Sequence, residues 1–252
     1  MEAFQFEKEY KVPVYDTGPD GKLCLYSLLN YLQDIASEHA ELLNFGREDL
    51  MKANHFWVLS RLAVRIEAWP EWRETIIVRT WPRGTDKLFA LRDYEVRYKD
   101  GGSIASGTSS WLIVDIRTKR IQRPEEHLSR FKNETSTRSS FGRNADKVEI
   151  PDNIGNDSKS FLIRLSDLDL NLHTNNVKYI KWITDNYSLD FMMKHYPAEV
   201  EINYLAESVF GEEVLIRTYP GKQEDIFCHS LIRLNDNREL ARISIQWLNC
   251  TD

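Results

Sequence analysis

The chain has 252 residues, 42% hydrophobic and 29% charged. That suits one large domain or two of about 100–130 residues each, and it excludes general disorder. A net charge of −6, spread along the chain, disfavours a nucleic-acid binder, which would carry a basic excess. No apolar run approaches bilayer length, so no membrane span is expected. Met1 to Glu9 lacks the cationic-then-apolar pattern of a signal peptide, and a cytoplasmic protein is expected. Cys24, Cys228 and Cys250 are scattered, which fits reduced thiols. The six histidines show no ligand spacing, so neither a metal nor a cofactor is expected.

Phe4, Phe6, Tyr10 and Val12 alternate with mostly charged residues, which predicts a half-buried strand over 4–14. Asp16-Thr17-Gly18-Pro19-Asp20-Gly21 is a turn by composition. Leu25, Leu28, Leu29, Leu32, Ile35 and Ala36 then recur at helical spacing. Strands follow at 56–66, 75–81, 88–97 and 104–114, with Gly101-Gly102 turning between the last two. From 121 to 160 polar residues dominate, which predicts a surface linker with a short helix from Pro124 to Phe131. The expected domains are 1–120 and 161–252, joined by 121–160.

The second half repeats the first. Strand 161–165 answers strand 4–14, Asp167 answers Asp16, and Asp185 answers Asp34 at the same spacing. Ile216-Arg217-Thr218-Tyr219-Pro220 answers Val78-Arg79-Thr80-Trp81-Pro82, and Trp247 answers Trp111. The spacing shortens along the way, so the first half carries extra residues, expected at 44–55. Two copies of strand, long helix and antiparallel strands predict an α+β fold with a sheet wrapped round each helix.

The copies differ at one turn. Asp169-Leu170-Asn171-Leu172-His173-Thr174-Asn175-Asn176 stands between an apolar strand-like run and an amphipathic helix. The first copy has Gly18, Asp20 and Lys22 where the second has Asp169, Asn171 and His173. A histidine titrates near neutral pH, and a helix N-terminus can hold developing negative charge. Capping by Thr174 or Asn175 accounts for part of the turn, but no capping role needs the Asn171–His173 pair.

Asp169 to Tyr179 closely resembles the D-x-N-x-H-x-N-N-x-x-Y signature of acyl-acyl-carrier-protein thioesterases. Trp57-Val58-Leu59-Ser60-Arg61, Trp69-Pro70-Glu71-Trp72, Thr80-Trp81, Arg92-Asp93 and Ser109-Ser110-Trp111 fall in that family's order. The resemblance implies a double hotdog fold and hydrolysis of the thioester between a fatty acyl chain and the carrier's phosphopantetheine arm. It implies an enzyme that ends fatty acid synthesis, and because no transit-peptide-like extension precedes Phe4 a bacterial form is expected. Asp169, Asn171 and His173 match the family's catalytic cluster, and Glu207 matches its strand carboxylate. Many plant members have Cys at the next position; here it is Ser208, which argues against a covalent route.

The expected chemistry is attack by water activated by Glu207 with His173. Asn171 and helix N–H groups would hold the carbonyl, Asp169 would orient Asn171, and Asn176 is expected near substrate. An acyl tunnel is expected beside Leu28, Leu32 and Ile35, with Ser208 also near substrate. An acidic carrier would dock on Arg117, Lys119, Arg120 and Arg123, or on Arg138, Arg143 and Lys147. A homodimer of the doubled chain is compatible with this reading. The rivals are a hotdog acyl-CoA thioesterase and a non-enzymatic acyl-thioester sensor.

Overall fold

The computed structural model describes residues 5–125, 138–152 and 155–250. The chain divides into two compact units, Met1–Ala145 and Asp146–Asp252.

The first unit runs β1 (Phe6–Lys11), a 3-10 turn (Val14–Asp16), α1 (Leu25–Leu42), α2 (Arg47–Lys52), β2 (His55–Ile66), β3 (Thr75–Asp86), β4 (Phe89–Tyr98), β5 (Ser103–Asp115) and β6 (Ile121–Gln122). Its antiparallel sheet has the order β1-β3-β4-β5-β2, with β6 also on β5. The α1 stripe is buried as its spacing requires: Leu25, Leu28, Leu29, Leu32, Ile35 and Ala36 all face inward. The helix lies against β1 and β3. Gly101 takes a φ of 96°, which lets the β4–β5 hairpin close through Tyr98 N–H to Gly102 O at 2.8 Å.

The second unit runs β7 (Asn156–Asp157), β8 (Phe161–Leu162), a 3-10 turn (Leu165–Asp167), α3 (Asn176–Thr184), α4 (Leu189–Lys194), β9 (His195–Tyr204), β10 (Glu213–Pro220), β11 (Ile226–Arg233) and β12 (Arg238–Asn249). Its antiparallel sheet has the order β9-β12-β11-β10, with β7 and β8 both on β10. Val177, Tyr179, Ile180 and Ile183 form the buried face of α3.

The two units close their turns with the same backbone bonds. Cys24 N–H reaches Asp16 O as Asn175 N–H reaches Asp167 O. Leu23 N–H reaches Pro70 O as Thr174 N–H reaches Ser208 O. The bridges Thr17–Leu23 and Lys22–Glu71 recur as Leu168–Thr174 and His173–Val209. Duplication is therefore written in the main chain as well as in the residue pattern.

Three expectations need correction. The strand answering β1 is not 161–165 but the pair β7 and β8. Ser158 interrupts it, donating its N–H to Ile216 O while its Oγ accepts from Ile216 N–H. The extra length of the first half lies mainly in its helix, since α1 has 18 residues and α3 has 9. The short helices after them are the same length, so 44–55 is not the main insertion. Nor is 121–160 a plain surface linker. Phe141, Ala145 and Val148 are buried, because its few apolar residues are placed against the sheets. The helix expected from Pro124 to Phe131 falls mostly outside the described residues, as does Phe4.

Each unit buries a neutral histidine. In the first, His39 Nδ1 lies 3.0 Å from Arg92 Nη1, and the imidazole stacks on Phe6. Burial, and then the Arg92 charge, pushes its pKa down to about 3. In the second, Tyr187 Oη and Thr218 Oγ1 sit 3.1 and 3.0 Å from the two nitrogens of His229, and burial pushes it down to about 3. The folded state then binds fewer protons than the unfolded state between about pH 3 and 6.5. Stability is full above about pH 6.5 and falls as the pH drops toward 3. Each histidine is expected to cost about 2 kcal/mol by pH 5. Urea unfolding at pH 7 and 5 should show a smaller acid loss in His229→Gln than in the unsubstituted chain.

Candidate active site

Within the stretch between β8 and α3, the loop from Asp169 to His173 is closed by the Asp169 carboxylate. Asp169 Oδ1 accepts the main-chain N–H of Asn171 at 2.8 Å and of His173 at 3.3 Å. Asp169 N–H in turn donates to His173 O at 2.8 Å. Asp169 thus orients the main chain of Asn171 and His173, an Asx-type closure. Leu172 completes the turn at a φ of 63°, where the first unit places Gly21 at 76°. A leucine in that region costs on the order of 1–2 kcal/mol, and its side chain is exposed as well. Such strain is kept where a turn must aim its neighbours.

Helix α3 begins just beyond. Asn175 is its cap, its Oδ1 accepting Val177 N–H at 3.0 Å. Lys178 N–H goes to Asn175 O. Among the described residues the Asn176 N–H is left without an acceptor at the helix mouth, while its carbonyl accepts from Tyr204 Oη at 3.1 Å.

Glu207 stands in the loop after β9, which ends at Tyr204, and not on the strand itself. The loop is pinned at several points. Leu205 and Ala206 N–H both reach Leu240 O. Glu212 accepts Val209 N–H, and Arg233 Nη1 donates to Glu207 O at 3.4 Å and to Glu212 at 2.9 Å. So held, Glu207 Oε2 lies 3.5 Å from His173 Nε2. That is ion-pair range and long for a hydrogen bond. Both side chains are part-exposed, at 32% for His173 and 46% for Glu207, so a reactant can approach. Asn171 is exposed on the turn.

Ser208, next to Glu207, is fully buried. Its hydroxyl donates to Thr174 Oγ1 at 2.8 Å and lies 2.9 Å from Tyr179 Oη. Burial pushes the Tyr179 phenol up to about 12, so it is neutral at cellular pH. Leu28, Leu32 and Ile35 are buried on α1. Arg117, Lys119, Arg120 and Arg123 are exposed around the β5–β6 turn. Arg138 pairs with Glu95 and covers the Trp81 ring, Arg143 covers Phe141, and Lys147 is exposed. The hydroxyls of Thr174 and Tyr179 and the Arg233 contact were not evident from residue types alone. A comparison of the two repeats at positions 23/174, 28/179 and 70/208 would have found the hydroxyls.

Comparisons with known proteins agree along the whole chain. The family model for the acyl-ACP thioesterase N-terminal domain matches residues 3–130, and that for the C-terminal domain matches 153–249. A chloroplastic palmitoyl-acyl carrier protein thioesterase of Gossypium hirsutum is 27% identical over 98% of this chain and 64% of its own length. One from Arabidopsis thaliana is 27% identical, over 100% and 66%. The chain thus spans just under two thirds of these relatives. The solved acyl-ACP thioesterase of Bacteroides thetaiotaomicron superposes with a TM-score of 0.80 at 25% identity, covering 97% of this chain and 98% of its own. The 12:0-ACP thioesterase of Umbellularia californica superposes at 0.86 with 21% identity, covering 97% of each chain, and supports the fold alone. With a hotdog-like fold in two units and both family models matched in order, the chain belongs to the acyl-ACP thioesterase family.

Proposed function

We propose that the protein hydrolyses fatty acyl thioesters of acyl carrier protein, releasing free fatty acid and holo-carrier and so ending fatty acid synthesis in the cytoplasm. The observation that carries this is the 3.5 Å approach of Glu207 to His173 beside a helix mouth. His173, with the Glu207 carboxylate beside its ring, takes one proton from water as the water oxygen adds to the thioester carbon. The Asn171 amide and the Asn176 N–H hold the oxyanion, and Asp169 fixes the main chain that aims both Asn171 and His173. The carbon–sulfur bond then breaks, and the departing sulfur is protonated from His173. No covalent enzyme intermediate is needed, and the Ser208 hydroxyl is already engaged by Thr174 and Tyr179.

The first unit, with its long helix, is the place for the acyl chain, beside Leu28, Leu32 and Ile35. In the second unit, whose α3 is short, the rings of Tyr187, Phe191, Phe227 and Trp247 pack on one another. Each methylene buried in an apolar tunnel contributes about 0.8 kcal/mol. The acidic carrier would meet one of two basic clusters, Arg117, Lys119, Arg120 and Arg123, all exposed around the β5–β6 turn, or Arg138, Arg143 and Lys147, of which Arg138 and Lys147 are exposed.

Thiol release from acyl-carrier and acyl-CoA substrates of matched chain length tests the reading. Turnover should favour the carrier thioester, and Glu207→Gln should lower kcat by about 10²–10³-fold. Equal or faster turnover of the CoA thioester would assign an acyl-CoA thioesterase. Tight binding without thiol release would assign a sensor.

A further inference from the structure

The repeat isolates what the second unit has that a bare hotdog scaffold does not need. Superimposing the shared backbone bonds puts Leu23 where the second unit has Thr174, Pro70 where it has Ser208, and Leu28 where it has Tyr179. The first unit therefore builds the same turn with three apolar residues. Leu23 and Leu28 are buried there, as Thr174, Ser208 and Tyr179 are in the second unit. Burying three hydroxyls is unfavourable unless each finds a partner. Here they find each other: Thr174 Oγ1 accepts from Ser208 Oγ at 2.8 Å, and Ser208 Oγ lies 2.9 Å from Tyr179 Oη. All three occur only in the unit that carries His173 and Glu207.

Their placement gives a reason. Thr174 follows His173 and Ser208 follows Glu207, so the hydroxyl link joins the two residues next to the reacting pair. It runs beside the Thr174 N–H to Ser208 O bond at 2.8 Å. Tyr179, one turn into α3, ties that link to the helix. Arg233 holds the same loop from the other side through Glu207 O.

We propose that Thr174, Ser208 and Tyr179 are positioning residues, a buried hydroxyl chain that sets the separation of His173 from Glu207. This rests on the reading of His173 and Glu207 as the catalytic pair. The chain does not touch substrate. It acts through the carboxylate, whose loop would otherwise drift from the imidazole, and small displacements of a catalytic group carry large rate penalties.

The experiment is a double-mutant cycle read in kcat, KM and the pH profile. Ser208→Ala should lower kcat about fivefold with KM unchanged and shift the acid limb of the kcat profile. In a Glu207→Gln background the same substitution should change kcat by less than about twofold, because the group it positions is already gone. Thr174→Val should behave like Ser208→Ala, and Thr174→Ser should restore most of the lost kcat. If Ser208→Ala does not fold, Tyr179→Phe, which removes a single oxygen, is judged by the same criteria. An equal loss in both backgrounds, or full activity in folded Ser208→Ala and Tyr179→Phe, would overturn the proposal while leaving the catalytic pair in place. So would total loss in Ser208→Ala with a covalent acyl-enzyme trapped in the unsubstituted protein. Full activity in Glu207→Gln would overturn the catalytic reading, and this proposal with it.

Discussion

Replacing His173 with alanine is expected to lower kcat/KM for acyl thioesters by about 10³–10⁴-fold and to leave the fold intact. The expected loss is large because, in the proposed mechanism, one imidazole serves two proton transfers, from the attacking water and to the departing sulfur. The fold should survive because the contacts that close the turn belong to the main chain. His173 N–H donates to Asp169, His173 O accepts from Asp169 N–H, and the residue bridges to Val209. Alanine keeps all three. The first unit closes the same turn without a histidine: Lys22 occupies the same bridge, opposite Glu71, in a turn closed by the same bonds. Thiol-release kinetics with a thermal melt of the variant check both halves. A variant that folds and retains more than about a tenth of the activity would remove His173 from the mechanism.

The two repeats also explain why the candidate site stands out in the sequence and parts of the fold do not. Asn171 and His173 stand out in sequence because a turn closed only for structure does not need them. Leu25 to Ala36 stands out because one buried face of a helix must repeat at its own period. The broken edge strand was missed because its break depends on Ser158, a small polar residue like many others in that stretch. Its pairing with Ile216 is set by tertiary register, not by local composition. The burial of Phe141, Ala145 and Val148 was missed for a related reason. Three isolated apolar residues carry no periodicity, and only the sheets opposite them decide that they go inside. Glu207 was placed one element too early because strand and loop residues look alike where an apolar run gives way to a polar one. The hydroxyls of Thr174, Ser208 and Tyr179 needed both copies side by side.

Asp93→Ala should be the most destabilising single change at a charged position in the first unit, by about 3–5 kcal/mol. Asp93 is fully buried on β4. It accepts from Arg83 Nε at 3.0 Å, Thr108 Oγ1 at 2.7 Å and Ser140 N–H at 2.9 Å. Alanine would leave a part-buried guanidinium without its counter-charge and two donors without an acceptor. The second unit argues that the fold itself does not require a charge at this place. At the same register of its sheet Cys228 faces Ser244 across a weak 3.9 Å contact, as Asp93 faces Thr108. What the first unit has in addition is the segment 138–145 lying on its sheet. Trp81 Nε1 donates to Arg138 O, Arg83 to Asn144, and Arg61 to Ala145 O. Asp93 takes the Ser140 N–H of that segment and holds Arg83 in position for Asn144. Its loss should therefore lower the urea midpoint and also speed proteolysis within 138–145 under native conditions. Asp93→Asn keeps an acceptor but not the charge, and should fall between the two proteins on both measures. A loss of stability without faster cleavage of that segment would mean that the carboxylate serves Arg83 alone.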